Sequence, residues 1–144
     1  MASTKIDFYL SSNSHTTTHW QVACRLLNKI HQQNHRAYVL CQDRASAEYL
    51  DELLWTFQED SFIPHNLIGE GPSQPPPIQL GWESPPKHQR DILLLVATAL
   101  PECYTRFNRV LVIISDDETE RQTARELYRQ LREQGFELDL HKLN

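Results

Sequence analysis

Four arginines, Arg121, Arg125, Arg129 and Arg132, carry the sharpest chemical signal in the sequence. Placed on a helix with Leu127 as origin, they fall between about 120° and 200°, with Tyr128 at the near edge. Ala124 and Leu131 lie within about 60° of Leu127 and mark the core side. Glu126 and Glu133 fall on the opposite flank. Like charges at i, i+4 weaken a helix, and Arg121/Arg125 and Arg125/Arg129 are such neighbours. A basic stripe that costs stability, on a chain of formal net charge −5, points to an anionic ligand. Guanidinium matches carboxylate and phosphate geometry, and Tyr128 adds a flat apolar surface. An acidic peptide bearing an aromatic residue fits that set.

Other chemistry is weaker. Asp116 and Asp117 stand at the end of an apolar run, where α/β enzymes place metal-binding carboxylates. No third acid is tied to them by spacing, and no lysine or serine supplies a nucleophile. With Ser115 and Glu118 they read better as the capped start of a helix. His15/His19 and His31/His35 each stand at i, i+4. No cysteine or acid joins them in a ligand pattern, so they read as solvated helix-end side chains. The four glycines, Gly69, Gly71, Gly81 and Gly135, cannot write either phosphate-binding fingerprint. The turn after the first expected strand has no glycine at all. No catalytic, cofactor or metal site is expected. Cys24, Cys41 and Cys103 cannot all pair within one chain and read as reduced thiols.

The elements that must position the arginine stripe follow from periodicity. Residues 6–10, 37–41, 91–97 and 109–115 read as strands, the last two continuous and apolar as in a sheet covered on both sides. Residues 136–141 alternate as a closing strand, and 78–82 as an edge strand between proline-rich flanks. Helices are expected from Thr16–Thr18 to a cap at Asn34, over 44–57, around 102–107, and from 118 to 134 with Gly135 as its left-handed stop. Six of the eight prolines fall in 72–87, an elaborated connection inside one domain spanning 1–144. The architecture is α/β, a three-layer, mostly parallel open sheet, Rossmann-like without a phosphate-binding loop. The net charge opposes a whole-protein footprint on nucleic acid. No apolar leader or ~18-residue span occurs, so a soluble cytoplasmic protein is expected.

Residues 55–72 match neither half. Trp55, Phe57, Phe62 and Ile63 crowd a stretch punctuated by Pro64, Gly69, Gly71 and Pro72. Such a stretch either folds back on the core or forms a surface for another protein. On the helical wheel Phe57 joins the apolar stripe of Ala47, Leu50, Leu53 and Leu54. Trp55 lies roughly 140° from Leu50, toward solvent, where tryptophan anchors interfaces.

Leu50-Asp-Glu-Leu-Leu-Trp55, Ser61-Phe-Ile-Pro-His-Asn66, Gly69-Glu-Gly-Pro72, Arg90-Asp-Ile-Leu93, and Ala124-Arg-Glu126 through Gly135-Phe136 together make the chain resemble a known family, the chi subunit of bacterial DNA polymerase III holoenzyme. The resemblance runs from Phe8 to the closing strand. It implies a non-catalytic accessory subunit of a polymerase whose catalytic activity lies in another subunit. It also implies two partners, the psi subunit of the clamp-loader complex and the acidic, Phe-ending C-terminal tail of single-stranded DNA-binding protein. By that resemblance Arg125, Tyr128 and Arg129 form the tail pocket, with Arg132, Gly135 and Phe136 alongside. Trp55, Phe62, Pro64 and His65 belong to the psi-facing surface. The family pattern has lysine where Arg129 stands, and the segment 73–77 departs from it. Three other readings stay open: a repair helicase docked on the central surface, an enzyme using Asp116/Asp117, and direct DNA binding by the arginine stripe.

Overall fold

Ile92–Val96 and Arg109–Ile114 form the middle of the sheet, because runs of adjacent apolar residues need cover on both faces. The computed structural model describes residues 4–11, 19–56, 64–68, 76–86, 89–96, 100–114 and 118–143. Its strands are β1 (Lys5–Ser11), β2 (Ala37–Cys41), β3 (His65–Leu67), β4 (Ile78–Gly81), β5 (Ile92–Val96), β6 (Arg109–Ile114) and β7 (Glu137–Leu143). They make one seven-stranded sheet in the order β3-β4-β2-β5-β6-β1-β7. Every pairing is parallel; Leu93 stands beside Val110, and Phe8 beside both Val112 and Leu140.

Alternation along the strands divides the core in two. Helices α1 (His19–Gln32) and α2 (Arg44–Thr56) cover one face, where Leu27 and Leu50 join Val39, Leu94 and Leu111. Helix α3 (Glu118–Glu133) and a short 3-10 helix (Glu102–Arg106) cover the other, where Leu131 and Phe107 join Ile6, Phe8, Leu93 and Val110. These are the three layers that the alternation of elements predicts. Both expected helix stops are present. Asn34 takes φ 62° and Gly135 φ 90°, the left-handed conformation that ends a helix. After α3, Gly135 N–H donates to Arg132 O at 3.1 Å and Phe136 N–H to Leu131 O at 3.2 Å.

One expectation needs correction. Strand β4 is not an edge, because β3 pairs with it on the outer side, His65 beside Ile78. Three residues behind a proline are too short to show a period of two, so β3 is invisible until its partner is placed. His31 and His35 stand as the helix-end reading has them, His31 half-buried in the last turn of α1 and His35 exposed beyond it. α1 ends at Gln32, and the left-handed Asn34 turns the chain so that His35 Nδ1 meets Asp91 Oδ2 at 3.1 Å. His15, Phe57, Phe62, Ile63 and Ser115 to Asp117 lie outside the described residues. Among the described residues no helix is long and apolar enough to cross a membrane.

Candidate functional site, a pocket beside the third helix

Helix α3 rests on the sheet through Ala124, Leu127, Tyr128 and Leu131, of which only Leu131 is fully buried. The Tyr128 ring meets Phe8 edge-on, with centroids 5.3 Å apart and planes at 67°. That contact leaves a pocket of about 310 Å3 between α3 and the β6-β1-β7 end of the sheet. Phe8 and Leu10 of β1, Ile114 of β6 and Leu140 of β7 supply apolar lining from the strands. Ala124 and Tyr128 close the helix side, and Arg121 and Arg125 bring charge to it. Leu140 is 49% exposed, a large apolar side chain left uncovered at this opening. An apolar chamber of this size, with guanidinium groups beside it, suits one large apolar side chain carrying a carboxylate.

Two arginines of the stripe meet acids of their own helix. Arg129 pairs with Glu126 one turn back, and Arg125 Nη1 stands 4.0 Å from Glu118 Oε1. These acids offset part of the repulsion that the spacing of the stripe implies. Arg132 and Gly135 are exposed beyond the pocket lining. Phe136 is half-buried against Tyr104, with ring centroids 5.6 Å apart. Of the tail residues implied by resemblance, the structure therefore brings Arg125 and Tyr128 together in the pocket. It adds Arg121, which the helical wheel had placed on the stripe. Phe8, Leu10, Ile114 and Leu140 carried no sequence signal for this role.

At the far edge of the sheet Trp55 is 52% exposed, on the solvent side as the wheel predicts. Its ring lies over His65, with centroids 4.4 Å apart. His65 itself is buried and Pro64 half-buried.

A third cluster was not foreseen. Asp7, Asp139 and His141 bring possible ligand atoms within 4.8 Å of one another. Both Asp7 oxygens are engaged, by Arg109 Nε at 2.9 Å and His141 Nε2 at 3.0 Å, and Lys5 Nζ holds Asp139 at 2.9 Å. Two permanent cations at the same spot suit an interstrand ion network better than a metal site. Burial alone would raise the Asp7 carboxyl pKa. Hydrogen bonds from Arg109 and His141, with the charges of Arg109 and Lys5, outweigh that and hold it below its ordinary value.

With this geometry in hand, comparison with known proteins is decisive. Residues 3–139 match the family model of the DNA polymerase III chi subunit, HolC. The chain belongs to the chi family. It is 36% identical over 140 residues to the DNA polymerase III subunit chi of Pseudomonas aeruginosa, covering 97% of both chains. It is 33% identical over 137 residues to that of Escherichia coli, covering 92% of this chain and 93% of the relative. The Haemophilus influenzae protein of the same name is also 33% identical, over 132 residues. As in the sequence reading, membership of the chi family rests on the whole chain and not on the pocket alone.

Proposed function

We propose that the chain is a non-catalytic accessory subunit of the DNA polymerase III holoenzyme that bridges two partners through separate surfaces. The pocket beside α3 takes the acidic, Phe-ending tail of single-stranded DNA-binding protein. The terminal phenylalanine enters the apolar chamber, and Arg121 and Arg125 face its carboxylate and the acids before it. Arg129 and Arg132 continue the positive field along the outer side of α3. The exposed Trp55, with Pro64 and Phe62 near it in sequence, faces the psi subunit. The observation that carries this reading is the pairing of an apolar chamber with arginines at one end of the sheet.

The fold keeps the two surfaces apart. α2 and β3 lie at one edge of the sheet, α3 and β7 at the other, and the helices cover opposite faces. Six strand spacings of about 4.8 Å put the two edges roughly 29 Å apart. That exceeds the Debye length of ~8 Å at physiological salt, so charge at one surface is screened from the other. Contact with DNA then runs through the tail's own protein, consistent with a net charge of −5.

The test is a titration of the purified chain with a labelled acidic peptide ending in phenylalanine, beside the same peptide lacking that residue. Binding that needs the terminal phenylalanine supports the assignment, and equal binding of both peptides rejects it.

A further inference from the structure

A histidine in a docking stretch reads as a partner contact, but the structure gives His65 a different role. Its side chain has no exposed surface. Nε2 stands 3.1 Å from the backbone carbonyl oxygen of Asp51 and 3.2 Å from Asp51 Oδ1. Both are acceptors, so Nε2 carries the proton and shares it between them. The same ring packs against Trp55, with centroids 4.4 Å apart and planes tilted by 45°.

Asp51 and Trp55 are i, i+4 neighbours on α2, so they lie one above the other on the same side. In a helix of this register the Asp51 carbonyl also accepts the Trp55 N–H. One imidazole thus grips the start of the last turn of α2 and braces the indole at its end. Helix ends fray, and a large side chain there samples several rotamers unless something holds it. A side chain already held in one orientation loses less freedom when a partner binds.

We propose that His65 is a positioning residue for the Trp55 docking surface. It clamps Asp51 and the indole so that Trp55 is presented in one orientation, and it affects the partner only through Trp55. This inference rests on the reading of Trp55 as the psi-facing anchor.

The first arm of the test is a double-mutant cycle on psi affinity, with Trp55→Ala, His65→Ala and the two combined, each checked for folding by circular dichroism. An aromatic pair of this kind makes His65→Ala weaken psi roughly two- to tenfold. In the Trp55→Ala background the same change should have no further effect. Losses that simply add would mean that His65 contacts psi itself and would overturn the proposal. Two gentler variants serve if His65→Ala does not fold. His65→Phe keeps the ring against Trp55 but loses the donor to Asp51, and His65→Gln keeps an N–H but loses the ring. Each should bind psi more weakly than wild type, and wild-type affinity in both would overturn the proposal.

The second arm needs no partner. The chain has three tryptophans, and Trp20→Phe with Trp82→Phe leaves Trp55 as the sole reporter. His65→Ala, or His65→Gln, should lower the fluorescence anisotropy of Trp55 and shift its emission to the red. Unchanged anisotropy would show that the indole is not held by His65 and would overturn the proposal. If Trp55→Ala leaves psi affinity intact, the docking reading fails, and the anisotropy arm still decides whether His65 positions the indole.

Discussion

The carboxylate of Asp7 lies 2.9 Å from Nε of Arg109, an ion pair that ties β1 to β6 and whose acidic side chain has no exposed surface. His141 binds the other oxygen from β7, so one buried carboxylate tethers β1 to both of its neighbours. These are the three strands that line the pocket beside α3 from below. The opposite face of the same strands therefore carries the polar fastening.

Asp7→Asn tests that fastening. A carboxyl whose pKa is lowered by folding contributes stability that is present above its unfolded value of about 3.9. That contribution is lost as pH falls through the folded value. The urea midpoint of the wild type should therefore fall on acidification below about pH 4, and Asp7→Asn should remove this part of the fall. At neutral pH the substitution should cost about 1–3 kcal/mol, limited because Arg109 is half-exposed and can hydrate. Parallel stability profiles for the two proteins between about pH 3 and pH 7 would refute the argument.

Gly81→Ala should be more damaging than its size suggests. A Cβ at Gly81 would lie 1.9 Å from the Tyr38 hydroxyl oxygen and 2.7 Å from Cζ. Tyr38 is buried, and its hydroxyl donates to the Glu83 carbonyl at 3.0 Å, so the ring has little freedom to retreat. Overpacking together with a disturbed buried hydrogen bond predicts a loss of about 2–4 kcal/mol. Gly135→Ala meets nothing within 4 Å, and its positive φ alone should cost about 1–2 kcal/mol. Thermal melts of the two variants should show Gly81→Ala melting lower.

What the sequence makes legible follows from whether a signal lies within one element. The strands β5 and β6 and all three long helices each carry their own periodicity, and the stops at Asn34 and Gly135 are single-residue chemistry. Strand β3 has no such signal, because it exists only where β4 offers it an edge. The pocket divides in the same way. Arg125 and Tyr128 share a helix and can be seen together on a wheel. Phe8, Leu10, Ile114 and Leu140 come from three strands whose order is a property of the fold. Asp7 and its partners are separated by 102 and 134 residues, beyond any spacing rule. Arg129 shows a different limit. Its angle places it on the stripe, yet its side-chain torsions carry the guanidinium to Glu126.

That difference ranks the arginines. Arg125 borders the pocket and only just reaches Glu118, so its guanidinium can turn to an incoming carboxylate. Arg125→Ala should weaken binding of an acidic, Phe-ending peptide by about 1.5–3 kcal/mol, or roughly tenfold or more. Tyr128→Ala removes part of the chamber wall and should lose a comparable amount. Arg129→Ala must break an existing pair with Glu126, so its effect should stay within about threefold. Affinity should also fall with rising salt. Anisotropy titrations at two ionic strengths measure all of this. A larger loss for Arg129→Ala than for Arg125→Ala would move the peptide from the pocket to the outer side of α3.

The placement of the two surfaces predicts that they fail independently. Trp55 sits on α2 against the β3 edge, and Arg125 on α3 toward the β7 edge of the same sheet. No side chain is shared between them, and substitutions this far apart add in free energy within about 0.5 kcal/mol. Trp55→Ala should therefore weaken psi binding by about 2 kcal/mol or more, roughly thirtyfold, while leaving peptide affinity within about twofold. Arg125→Ala should do the reverse. A ternary mixture should then show the peptide binding equally well to the free chain and to the chain saturated with psi. Competition between psi and the peptide, or loss of both by either substitution in a protein of unchanged helix content, would mean that the two partners share one surface.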